Sequence, residues 1–121
     1  MTGEKGKDLK DGTQKFALRI IKLYTALPKR TEAQVIGKQI LRSGTSVGAQ
    51  YREACRARSN AEFISQIESG SQELEETMYR LELLVEAEIF SAQKLQNLQK
   101  EAEELMAIPV ASVKTVKSGK G

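Results

Sequence analysis

Histidine is absent from this 121-residue chain, and so is tryptophan. Without histidine there can be no Ser-His-Asp or Cys-His catalytic arrangement and no imidazole ligand for a metal. The side chain that titrates near neutrality is missing as well. Cysteine occurs once, as Cys55, so an internal disulfide is excluded and a reducing cytoplasm is the expected compartment. No apolar run approaches the roughly 18 residues that read as a membrane span. The opening, "MTGEKGKDLKDGTQK", is polar and has no apolar signal-peptide core.

What is present is a helical composition, rich in Leu, Ile, Ala, Glu, Gln and Lys, on a chain long enough for one domain. The net charge of +3 conceals an asymmetry. Residues 1–60 carry 13 Lys/Arg against 5 Asp/Glu, and residues 61–121 carry 6 against 11. Either the two halves neutralise each other inside one bundle, or the basic half offers a face to an anionic partner.

Residues 1–12 hold three glycines and no apolar period, which predicts a disordered leader. Thr13 reads as the N-cap of a helix near 14–27, with Phe16, Ile20, Leu23 and Leu27 on one face and Pro28 as its stop. Thr31 reads as the next N-cap. Val35, Ile36 and Ile40 open a stripe that keeps its rhythm through Ser43/Gly44, Val47, Tyr51 and Ala54, predicting one helix over 32–57. Ser59 to Glu62 spells a capping box ahead of a helix over 60–88, with Phe63, Ile67, Gly70, Leu74, Met78, Leu81 and Val85 inward. Ser91 caps a fourth helix near 92–107, carrying Leu95, Leu98, Ala102, Leu105 and Met106, with Pro109 beyond its end. Residues 109–121 read as a disordered basic tail. The expected fold is all-α, an antiparallel up-down-up-down four-helix bundle over 13–108.

Gly44-Thr45-Ser46-Val47-Gly48 spells G-x-S-x-G, the nucleophile elbow of serine hydrolases. An elbow needs a strand before its serine and a base beside it. Here the preceding residues carry a helical period and histidine is absent. Lys38 as an alternative base lies about 12 Å along the same helix from Ser46. A phosphate-binding P-loop fails too, since no lysine follows Gly48. The small residues are read instead as a packing surface, meeting Gly70 and Ser71 of the third helix at the same height. Glu73, Glu75 and Glu76 lack the Glu-x-x-His partners of di-iron bundles and read as a solvated face or partners of basic side chains. Cys55 reads as a small, half-buried residue. No enzyme activity, cofactor or metal is expected.

The stretch "LRSGTSVGAQYREACRARSNAEFISQIESGSQELEETMYRLELL" resembles the core of four-helix-bundle proteins encoded in intervening sequences of bacterial large-subunit ribosomal RNA genes. The resemblance covers roughly residues 15–105. It is carried by Leu27-Pro28, by Gln39, Arg42, Ser43, Thr45, Ser46, Val47 and Ala49, and by Glu53, Ala54, Glu62, Phe63, Glu73, Glu76 and Tyr79. Gln50 departs from it, standing where the family usually has Asn. The resemblance implies a homopentameric ring. Relatives that accompany retroelements imply a nucleic-acid partner and a protein partner such as a reverse transcriptase. The candidate nucleic-acid-binding residues are Lys15, Arg19, Lys22 and Lys29 around the first helix and Lys38, Arg42, Arg52 and Arg56 on the second. The expectation is an oligomeric accessory factor that binds RNA or DNA phosphates. The alternative is a structural scaffold that binds a protein.

Overall fold

A computed structural model describes residues 4–117. Four helices follow one another: α1 (Glu4–Ala26), α2 (Thr31–Cys55), α3 (Asn60–Glu86) and α4 (Ala92–Lys117). Each packs on its chain neighbours, and α1 also packs on α4, closing the four-helix arrangement. Neighbouring helices run antiparallel: Thr13 and Ile20 of α1 meet Gly48 and Gly44 of α2, while Ser43 and Tyr51 of α2 bond Thr77 and Ser71 of α3. The shared core is apolar, with Phe16, Ile20, Val47, Tyr51, Leu74, Leu81 and Ala102 among its buried residues. None of the helices, among the described residues, is long and apolar enough to cross a membrane.

Both ends depart from expectation. α1 begins at Glu4 rather than after Thr13, so most of the leader is helical. The cause is that the 4-and-3 rhythm starts at Leu9, which is fully buried, and passes through Thr13. Thr13 is no cap; its buried hydroxyl donates back to the Leu9 carbonyl at 2.8 Å. At the other end α4 runs through Pro109 to Lys117. A proline removes one helical hydrogen bond, and α3 accompanies the extension, with Glu68 reaching the Lys117 ammonium at 3.9 Å. Residues 1–3 of the expected leader and 118–121 of the expected tail lie outside the described residues.

Thr31 is likewise inside α2; the N-cap is Arg30, which supplies no side-chain bond. Gln34 secures the entry instead, accepting from the Tyr24 hydroxyl at 3.0 Å and donating to the Pro28 carbonyl at 3.0 Å. Ser59 caps α3 as expected, accepting from the Glu62 backbone at 3.1 Å, while the Glu62 carboxylate accepts from the backbone of Arg58. Ser91 accepts from the backbone of Lys94 at the start of α4.

α2 is helical throughout Ser43–Gly48. Its glycines, however, do not meet Gly70. Gly37 receives Leu27, just beyond α1, with Tyr24 of α1; Gly44 and Gly48 receive Ile20 and Thr13 of α1, and Gly70 receives the Tyr51 ring. Each absent side chain makes room for a side chain of the facing segment, a large one at Gly37, Gly44 and Gly70 and Thr13 at Gly48.

Candidate nucleic-acid interface

α2 turns its glycines toward α1 and Ser43 toward α3, which leaves its third face to solvent. Along that face Thr31, Val35, Lys38, Arg42, Thr45, Ala49 and Arg52, continued by the C-cap residue Arg56, recur every four and three residues, and all are exposed. The stripe holds four cations and no acid. From Lys38 to Arg56 it spans about 27 Å at the helical rise of about 1.5 Å per residue. The middle is lined by small side chains, so the cations stand at its two ends.

Ion pairing sorts the eight candidate residues. Arg42 grips Glu73 through both guanidinium nitrogens, at 2.9 and 3.4 Å, and reaches Glu76 at 3.4 Å. The hydrogen bond and charge of Glu73 hold the Arg42 pKa above its ordinary value. Its charge is therefore largely answered within the chain. Arg19 is answered in the same way by Glu101 of α4 at 2.8 Å. Lys15, Lys22, Lys29, Lys38, Arg52 and Arg56 are exposed and form no ion pair among the described residues. The candidates do not form one surface. Lys38, Arg52 and Arg56 share the α2 stripe, Lys15 and Lys22 lie on α1, and Lys29 lies in the connection between the two helices.

Two cations escaped the sequence reading. Lys100 of α4 lines a shallow groove with Lys15, Arg19, Glu101 and Glu104. Its position beside residues so distant in the chain has no local signature. Arg80 joins the acidic cluster from α3, 3.7 Å from Glu76.

The hydroxyls of the G-x-S-x-G stretch are turned back on their own helix. Ser46 donates to the Arg42 carbonyl at 2.7 Å and Thr45 to the Leu41 carbonyl at 2.7 Å. A serine so engaged within a continuous helix does not sit on the strained strand-to-helix turn of a nucleophile elbow. Cys55 is half-buried and free at the end of α2.

The geometry finds counterparts among known proteins. No curated protein matches the chain. A crystal structure of a protein of unknown function from the S23 ribosomal protein family of Bacteroides thetaiotaomicron is 38% identical. The match covers 92% of this chain and 99% of that one, with a TM-score of 0.86. The model of the 23S rRNA-intervening sequence protein family matches residues 8–111. With that match spanning nearly all of the bundle, the chain belongs to the 23S rRNA-intervening sequence protein family.

Proposed function

We propose that this is a non-catalytic, oligomeric accessory protein that binds RNA or DNA through backbone phosphates. The observation that carries the reading is the outer stripe of α2, where Lys38, Arg52 and Arg56 are exposed and form no ion pair among the described residues, with Arg42, paired to Glu73, between them. Phosphate recognition of this kind needs charge and reach rather than a reading surface for bases. Small residues at Thr45 and Ala49 let a phosphate backbone lie close to the helix between the two cationic ends. The name of the relative, a ribosomal protein family, supports an RNA partner. A ring of five, which the family resemblance implies, repeats the stripe in every subunit and raises avidity without new contacts.

Fluorescence anisotropy with labelled single-stranded RNA and duplex DNA tests this across a salt series. Affinity falls steeply with salt, with little dependence on sequence. Replacing Lys38, Arg52 and Arg56 together with Gln lowers the log–log slope by roughly two to three for each subunit engaged, at about 0.7–0.9 per phosphate contact. Absence of binding at about 50 mM salt, where such contacts are strong, replaces this reading with that of a scaffold for a protein partner.

A further inference from the structure

Tyr79 is 60% exposed, Leu18 56% and Ile21 42%, left open by the described residues. They occupy two faces of opposite charge. On α3 the exposed residues Ala61, Ser65, Glu68, Gln72, Glu75, Tyr79, Glu82 and Glu86 recur every four and three positions, with four acids and no base. On α1 the exposed residues Lys15, Leu18 and Lys22 share one face with Ile21 beside them.

We propose that these two faces bind one another between copies of this chain, α1 of one subunit docking on α3 of the next. The inference rests on the oligomer of the reading above and assigns the surfaces that build it. Each face presents a hydrophobe flanked one turn away on both sides by like charges: Lys15 and Lys22 around Leu18, Glu75 and Glu82 around Tyr79. Setting Leu18 and Ile21 against the Tyr79 ring brings both lysines onto both glutamates. Burial of an aromatic anchor at the centre supplies the affinity, and the flanking charges set register.

The contact is heterologous, so it gives a ring if the rotation closes. Both faces border α4: Arg19, between Lys15 and Lys22, pairs with Glu101, and Glu68 of the acidic stripe pairs with Lys117. Two faces inclined toward the same helix lie less than half a turn apart, which is the condition for closure. α4 then lies on the inner side, and the cationic stripe of α2 stays outside and free. Within one chain α1 and α3 run parallel, because each is antiparallel to α2. A ring around the bundle axis keeps that sense and pairs Lys15 with Glu75 and Lys22 with Glu82.

Sedimentation velocity of the full chain at micromolar concentration tests the contact. The native protein sediments as a multiple of the 13.4 kDa subunit. Tyr79→Glu and Leu18→Glu, both at exposed positions, each yield monomer with unchanged helical circular dichroism. Lys22→Glu makes monomer the major species; adding Glu82→Lys restores the assembly and adding Glu75→Lys does not. In a Cys55→Ser background, Leu18→Cys with Tyr79→Cys forms interchain disulfides on oxidation. A native monomer overturns the inference, and so does an assembly whose size survives Tyr79→Glu. Anisotropy on the same samples separates the two readings: a monomer that binds RNA overturns only the contact, and an assembly that binds none overturns only the nucleic-acid reading.

Discussion

Ser43 and Thr77 are buried polar side chains facing each other across the α2–α3 seam, with their oxygens 2.7 Å apart. The single hydroxyl hydrogen of Thr77 goes to the Glu73 carbonyl at 2.9 Å, so Ser43 is the donor between them. Ser43→Ala then leaves the Thr77 oxygen without that donor and costs about 1–3 kcal/mol in chemical denaturation. The double variant Ser43→Ala/Thr77→Val removes both polar groups and recovers most of the loss. Gly44→Leu forces a side chain into space held by Ile20, whose Cγ1 lies 2.8 Å from where a Cβ would sit. Overpacking of this kind costs on the order of 1–3 kcal/mol, and a wild-type melting temperature refutes the tight fit. Tyr51 is buried against Gly70, and that burial raises its pKa, opposed in part by the hydrogen bond with Ser71. The unfolded chain therefore releases this proton before the folded chain does, and stability falls as pH rises above about 10, the ordinary tyrosine pKa. In Tyr51→Phe that alkaline component disappears from urea midpoints measured across the range.

At the scale of the helices, the ends carry the surprises. Leu9 is fully buried, so the segment around it is part of the bundle. Leu9→Ala lowers unfolding stability by about 2–5 kcal/mol, the range for truncating a buried leucine, where a disordered leader gives no change. α3 ends through Glu88, which has φ of 58° and is a non-glycine residue in the left-handed region. That conformation returns the chain so that the backbone N–H groups of Ile89 and Phe90 donate to the Leu84 carbonyl. Glu88→Gly relieves a cost of roughly 1 kcal/mol and raises the melting temperature without altering the helices.

At the scale of the whole molecule, the two proposals assign separate work to separate faces. The α2 stripe would take phosphates, and the exposed faces of α1 and α3 would take another copy. Coupling between the two follows from avidity rather than from any shared residue. Tyr79→Glu is accordingly expected to weaken binding to a long RNA by about 10²-fold or more while leaving affinity for a very short oligonucleotide nearly unchanged. Titrations with oligonucleotides of increasing length measure this directly. Equal loss at every length shows that Tyr79 acts on the phosphate site itself.

Four helices, their order and most inward positions were legible because apolar residues recur at the helical period, and Ser59, Pro28 and Ser91 punctuate them. The family was legible in the residues around Arg42–Ala49, and the family match over residues 8–111 agrees. Leu9 could have been read the same way, had the threonine at position 13 been counted as core rather than as a cap. Thr77 and Leu84 are buried where Met78 and Val85 were expected, since only the opposing helix supplies Ser43 to satisfy a threonine hydroxyl. The partners of the glycines, the capture of Arg42 by Glu73 and of Arg19 by Glu101, and the grouping of cations by face depend on which helices adjoin. Helical periodicity is local and survives in the order of residues. The pairing of one helix surface with another is set by register and packing between segments distant in the chain, and only the tertiary structure decides it.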